Sequence, residues 1–181
     1  MFQQLLEKIA LALDKAGISY MVIGGQAVLL YGEVRMTKDI DITLGLSTSK
    51  VKDVLDVIQT IPLKPLVDAE TFTKKTMVLP CEDPSTSIRI DLIFSFSPYE
   101  REALGRAKNV TLGKHPVKFA SLEDLIIHKM VAGRPRDLED VKALVLKNKA
   151  LDTTYVERWL THFKAVVDHP ITDLWNAIKK I

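Results

Sequence analysis

The stretch from Gly24 to Leu44, GGQAVLLYGEVRMTKDIDITL, sets the narrowest limits on what this chain can become. Asp39 and Asp41 alternate with Ile40 and Ile42, and Thr43 and Leu44 follow. Such residues favour a strand. Side chains along a strand alternate faces, so both carboxylates share one face while Ile40 and Ile42 point into a core. Like charges so placed repel unless a positive charge lies between them. A divalent cation would meet that need, since carboxylate oxygens are hard ligands that suit Mg²⁺ or Mn²⁺, above all when phosphate oxygens complete the shell.

Asp91 stands in a similar setting, inside SIRIDLIFSF. If its strand neighbours the first, three carboxylates converge. That number suffices for a site that activates a hydroxyl and stabilises a leaving phosphate. A plainer reading stays open, because an acidic residue on a solvent face needs no ligand and Asp91 can pair with Arg89. Gly24 and Gly25 add weight to the first reading. They sit between the apolar strand SYMVI and a short helix, where glycine lets backbone approach a ligand and a helix start offers N–H groups to phosphate. A tight turn explains the same pair.

The rest of the chain bounds the class. With 181 residues, 47% hydrophobic and 27% charged, it has the balance of a globular protein of one ordinary domain or a domain with a small extension. The net charge of +2 is too mild to argue for nucleic acid alone and does not oppose an anionic substrate. The single cysteine, Cys81, leaves no intramolecular disulfide and no cysteine metal cluster. No apolar run approaches the ~18 residues of a membrane span. The N-terminal MFQQLLEKIALALDKAG reads as an amphipathic helix rather than a signal, so a cytoplasmic location and no membrane partner are expected.

Val51, Val54, Leu55 and Ile58 mark a helix after Ser47, Thr48 and Ser49. FTKKTMVL and SIRIDLIFSF read as strands separated by the turn-rich PCEDPSTS, and NVTLGKHPVKFA as two short strands around Gly113. From Ser121 the character is helical. SLED has the form of a capping box, Val156, Trp159, Leu160, Phe163 and Val167 mark one helix, and Ile171, Leu174, Trp175 and Ile178 mark the last. The expected fold is α/β (α+β): residues 1–120 form a mixed sheet flanked by helices, and residues 121–181 form a helical part packed on that core. Lys129 follows Leu122, Leu125 and Ile126 on an apolar stripe, where lysine either meets an anion or snorkels out. Asp137 lies near a helix start after Pro135, where a carboxylate suits the dipole without any catalysis. Arg134 and Arg136 flank that start. They suit phosphate or acceptor RNA, or simply a solvated loop.

The order of strand, Gly24-Gly25, short helix, Arg35-x-Thr37 and Asp39-x-Asp41 resembles the nucleotidyltransferase superfamily of the DNA polymerase β type, with Asp91 matching its third carboxylate. The segment SLEDLIIHKMVAGRPRDLEDVKAL resembles the small nucleotidyltransferases related to the AbiEii abortive-infection toxins. Lys129, Arg134, Arg136, Asp137 and Asp140 take the matching places. The second glycine is often a serine in the superfamily. With Gly25 here, phosphate contacts fall to backbone N–H groups or to Gln26.

The resemblance implies a Mg²⁺- or Mn²⁺-dependent transfer of a nucleoside monophosphate from an NTP to an acceptor hydroxyl of RNA (such as tRNA), protein or a small molecule. Asp39, Asp41 and Asp91 would hold metal. Asp91 would also take the acceptor's proton. Gly24, Gly25, Gln26, Arg35, Thr37 and Lys129 would bind nucleotide, with Asp137 placing Lys129 or the acceptor. It also implies a toxin role with an antitoxin partner. Two alternatives stand beside it. One is a non-catalytic module binding nucleotide, RNA or a partner on the same fold, and the other a metal-dependent phosphohydrolase using the same carboxylates.

Overall fold

The computed structural model describes residues 2–32 and 37–181. The chain divides into two compact units, one of residues 1–26 and 36–120 and the other of residues 27–35 and 121–181.

The first unit is built on a seven-stranded mixed sheet in the order β3-β4-β5-β2-β1-β7-β6. Its strands are β1 (Tyr20–Ile23), β2 (Asp39–Leu44), β3 (Lys64–Pro65), β4 (Val78–Asp83), β5 (Ile88–Phe94), β6 (Lys108–Thr111) and β7 (Pro116–Phe119). β2 lies antiparallel to β1 and parallel to β5, which puts the two acidic strands side by side. Helix α1 (Phe2–Lys15) places Leu5, Leu6, Ile9 and Leu13 in the core, the spacing expected of an amphipathic helix. It packs on β7 and on α3 (Val51–Gln59). α3 buries Val51, Val54 and Ile58 and follows a short 3-10 turn at Thr48–Lys50. α5 (Pro98–Arg106) starts at Ser97, whose hydroxyl accepts the Glu100 N–H.

One expected strand is a helix. FTKKT belongs to α4 (Ala69–Thr76), which packs on β4. Its start is fixed by Asp68, whose carboxylate accepts the Thr71 N–H at 2.9 Å, and Lys74 and Lys75 suit its last turn. It stops at Met77, which adopts φ 62 and returns its N–H to Thr73 O at 2.8 Å. The cap outweighs the weak strand preference of Phe72, Thr73 and Thr76. The segment PCEDPSTS also divides differently. Pro80 to Asp83 complete β4, and the turn is confined to the next four residues, with the buried Asp83 accepting from Ser85 and Thr86.

The second unit is helical. Helix α2 (Gly24–Leu30) leaves the first unit after its opening residues and contributes the rest here. α6 (Leu122–Ala132) packs on α7 (Pro135–Lys147), α8 (Thr153–Phe163) and α9 (Ile171–Ile178). Trp175 is fully buried among them, whereas Trp159 is only half-buried. Gly133 ends α6 at φ 63, and a side chain there would meet the His169 ring at 2.5 Å. His169 Nε2 in turn lies 2.8 Å from Met130 O. Among the described residues, no helix is long and apolar enough to cross a membrane.

Candidate active site

Strand β2 alternates as its sequence requires. Ile40 and Ile42 are 0% and 1% exposed, while Asp39 is exposed and Asp41 half-buried on the other face. In β5, Ile90 and Leu92 are buried and Asp91 is half-buried between them. The two parallel strands pair Asp41 with Asp91 and Asp39 with Arg89. Directly paired residues share a face, so the three carboxylates stand on one side of the sheet. Burial pushes the Asp91 carboxyl up from its ordinary value. Arg89 opposes this shift and Asp39 adds to it.

Gly24 explains how β1 enters this site. It follows Ile23, which pairs with Asp41, and takes φ +63, a conformation most side chains avoid. A Cβ on Gly24 would lie 1.9 Å from Asp41 Oδ2 and 2.8 Å from its carboxyl carbon. The carboxylate therefore rests directly over the glycine backbone, and any larger residue would displace it. Gly25 is buried in the first turn of α2. Gln26 donates from Nε2 to Thr37 Oγ1 at 2.7 Å, joining the helix start to the approach to β2. Arg35 lies outside the described residues.

Lys129 and Asp137 belong to the helical unit. Lys129 is 5% exposed, and its ammonium donates to Asp137 Oδ1 at 3.1 Å and to Asp140 Oδ2 at 2.7 Å. Arg134, exposed on its outer side, donates from Nε to Asp137 Oδ2 at 2.5 Å. Burial pushes the Asp137 carboxyl up, but the bonds from Arg134 and Lys129 outweigh it and hold the group below its usual value. Sequence reasoning named Asp140 only as a motif position. Its spacing of three from Asp137 is the signal that both carboxylates face one lysine. A second buried network joins Ser121, which accepts the Asp124 N–H and donates to Asp124 Oδ2 at 2.6 Å, to Tyr155, whose hydroxyl donates to Asp124 Oδ1 at 2.8 Å. Arg136 is exposed.

Residues 2–176 match the family described as "Nucleotidyl transferase of unknown function (DUF2204)". The chain belongs to this family. It is thus a nucleotidyltransferase, and the three carboxylates on one face are its candidate catalytic groups. Solved structures share the fold. An antigenic nucleotidyltransferase-like protein from Paracoccidioides brasiliensis is 17% identical with a TM-score of 0.58, the match covering 98% of this chain and 91% of that one. The antibiotic-resistance factor ANT(2'')-Ia is 16% identical with a TM-score of 0.59, covering 90% and 91%. The lincosamide antibiotic adenylyltransferase LnuA, bound to lincomycin, is 15% identical with a TM-score of 0.50, covering 73% and 89%. No curated protein matches at the sequence level.

Among the described residues, no group of three or more His, Cys, Asp or Glu side chains is gathered closely enough to hold a metal ion by itself. The donors nonetheless fit Mg²⁺ in kind. That ion is commonly held by one or two carboxylates together with substrate phosphates and water, rather than by a protein cage.

Proposed function

We propose that this nucleotidyltransferase moves a nucleoside monophosphate from an NTP to an acceptor hydroxyl. The observation that carries the reading is Asp41 seated over Gly24 with Asp39 and Asp91 on the same face of adjoining strands. Asp39 and Asp41 would hold Mg²⁺ or Mn²⁺, and Asp91 would complete the set. When bound, the ion supplies neutralisation of triphosphate charge. The room over Gly24 is filled by the Asp41 carboxylate, so Gly24 and Gly25 would meet the triphosphate through backbone N–H groups at the start of α2, and the Gln26 amide, fixed by Thr37, offers a polar contact beside it. The acceptor oxygen attacks the α-phosphorus and the bond to the β-phosphate breaks. Pyrophosphate leaves, and the acceptor proton passes to a carboxylate oxygen of Asp91.

ANT(2'')-Ia is solved with adenylyl-2''-tobramycin and LnuA with lincomycin, which supports a small-molecule hydroxyl as one acceptor class beside RNA and protein. The test supplies each α-³²P-labelled NTP with Mg²⁺ and a cell extract. Label passing to RNA, protein or a small molecule with wild type, and not with Asp39→Ala/Asp41→Ala, supports transfer and names the acceptor class. Free nucleoside monophosphate without acceptor labelling supports a phosphohydrolase instead. Calorimetric NTP binding with no turnover supports a binding module.

The likeness of the Lys129 to Asp140 segment to AbiEii-type toxins motivates a toxin reading. Growth arrest on overexpression that Asp39→Ala relieves supports it, and harmless overexpression of active protein counts against it. For Lys129 the two roles separate cleanly. Tm falls for Lys129→Met in either case, because the ion cluster is lost; a phosphate-binding role predicts in addition a raised KM for NTP that Lys129→Met/Asp137→Asn/Asp140→Asn keeps, whereas a purely structural cluster predicts KM unchanged in the folded protein.

A further inference from the structure

The chain leaves β1 through α2 and returns to Thr37 and β2, and hydrogen bonds pin this excursion at two places. Near the start of α2, the Gln26 amide donates to Thr37 Oγ1 at 2.7 Å. Beyond its end, two side chains from the end of α7 reach the last carbonyls. Lys147 Nζ donates to Gly32 O at 2.5 Å. Asn148 Nδ2 donates to Leu144 O of its own helix at 2.9 Å and to Tyr31 O at 3.4 Å. Gly32 takes φ +93, which turns the chain out of the helix. The bonds that close the last turn are long: Tyr31 N–H to Ala27 O at 3.3 Å and Gly32 N–H to Leu29 O at 3.2 Å. Ala27 and Val28 are buried. Burial, then Glu123 and Asp124, push the Tyr31 phenol up to about 12.

α2 has seven residues, well short of the ~12–15 that hold a helix in water by themselves. The last carbonyls of a helix find no partner within it and form its negative end. Lys147 answers both needs, since its ammonium donates to a carbonyl and sets positive charge at that end. Gln26 lies five residues before Tyr31, about one and a half turns. Fraying of the last turn therefore leaves Gln26 on about one turn of helix, too little to fix it. We infer that Lys147 is a positioning residue of the nucleotide site: by gripping the end of α2 it keeps Gln26 where its amide meets both Thr37 and the nucleotide. This role rests on the transfer reading above. Lys147 acts through the α2 backbone, and Asn148 shares the grip.

The test compares the full chain as wild type, Lys147→Met and Lys147→Arg by two measurements. Amide hydrogen exchange at Tyr31 and Gly32 reads the grip, with Gly133, whose N–H donates to Lys129 O, as the control in α6. Calorimetry with ATP, CTP, GTP and UTP in Mg²⁺ reads nucleotide affinity without any acceptor. Lys147→Met is expected to speed exchange at Tyr31 and Gly32 about threefold or more, to leave Gly133 unchanged, and to raise the Kd of the bound NTP about threefold or more. Lys147→Arg keeps a cationic donor and stays near wild type in both. Faster exchange with unchanged NTP affinity makes Lys147 merely structural and overturns the role. Unchanged exchange at Tyr31 and Gly32 overturns the grip itself. Either result leaves the transfer reading standing. If wild type, with the circular dichroism of a folded chain, binds none of the four NTPs, the transfer reading falls and the role drawn from it falls too.

Discussion

Gly24 is the residue on which the site turns, for two separable reasons. Its φ of +63 costs an L-residue about 1–2 kcal/mol, and a Cβ would collide with the Asp41 carboxylate. Gly17 has φ +66, but a Cβ there would meet nothing within 4 Å, so it carries the first cost alone. Gly24→Ala is therefore expected to lower Tm more than Gly17→Ala and to abolish transfer, and the added Asp41→Ala change is expected to recover part of the Tm loss. Differential scanning fluorimetry of these variants beside wild type checks this. Asp91 behaves in the opposite sense. Its carboxyl is pushed above the ordinary value, so folding disfavours its ionised form. The cost is absent below the ordinary carboxyl value, grows as pH rises through the raised folded value, and persists in full at neutral pH. Asp91→Asn is expected to raise Tm at pH 7 without divalent ions while transfer falls by about 10²-fold or more. A lower Tm would show that Asp91 is structural.

At the scale of elements, α6 and α7 are joined by a buried ion cluster. Lys129 on α6 serves Asp137 and Asp140 on α7. Removing one member of a buried pair leaves charge uncompensated and costs about 3–5 kcal/mol. Lys129→Met is expected to lose stability of that order in urea unfolding, and Lys129→Met/Asp137→Asn/Asp140→Asn to regain most of it. The N-terminus of α6 carries a second, smaller contribution. Ser121 is fully buried and caps Asp124, so Ser121→Ala is expected to cost about 1–2 kcal/mol. Both features were partly legible: SLED announces the cap, and Lys129 on an apolar stripe announces an anion. The resemblance had set Asp137 beside it; that Asp140 joins was not legible, because Asp140 meets Lys129 only once α7 folds back on α6.

For the whole molecule, carboxylates in both units set the response to acid. Asp14 accepts Lys118 Nζ at 2.5 Å and His115 Nε2 at 2.8 Å. Burial pushes its carboxyl up, and those bonds outweigh burial and hold it low. Bonds from Thr86, then Ser85, hold Asp83 low. Asp137 is low in the helical unit for the reason given above. A depressed carboxyl contributes stability that is full above its unfolded value of about 3.9 and is lost as pH falls through the folded value. Stability is therefore expected to drop below about pH 4, after the small gain that Asp91 gives as pH falls through its raised value. Asp14→Asn and Asp137→Asn should each flatten that drop while lowering stability at neutral pH. Urea midpoints from about pH 2 to neutrality measure both effects, and an unchanged acid limb in either variant would remove that group from the account.

What the sequence determined by itself is local. Ile40 and Ile42 alternating with Asp39 and Asp41 dictate a strand with an acidic face, because the two-residue period follows from strand geometry alone. The Gly24-Gly25 break, Asp91 in its own apolar strand and the helical character after Ser121 follow in the same way. α4 escaped because its decisive signal is a cap at Asp68, outside the strand-like letters. What only the tertiary structure decided is pairing. The register of β2 against β5 sets Asp41 beside Asp91 and Arg89 beside Asp39, and the chain reversal at Gly24 brings backbone under a carboxylate of the neighbouring strand. Strand partners far apart in sequence leave no periodic trace in either strand. Register is chosen by burial of whole faces at once, and that choice exists only in the folded sheet.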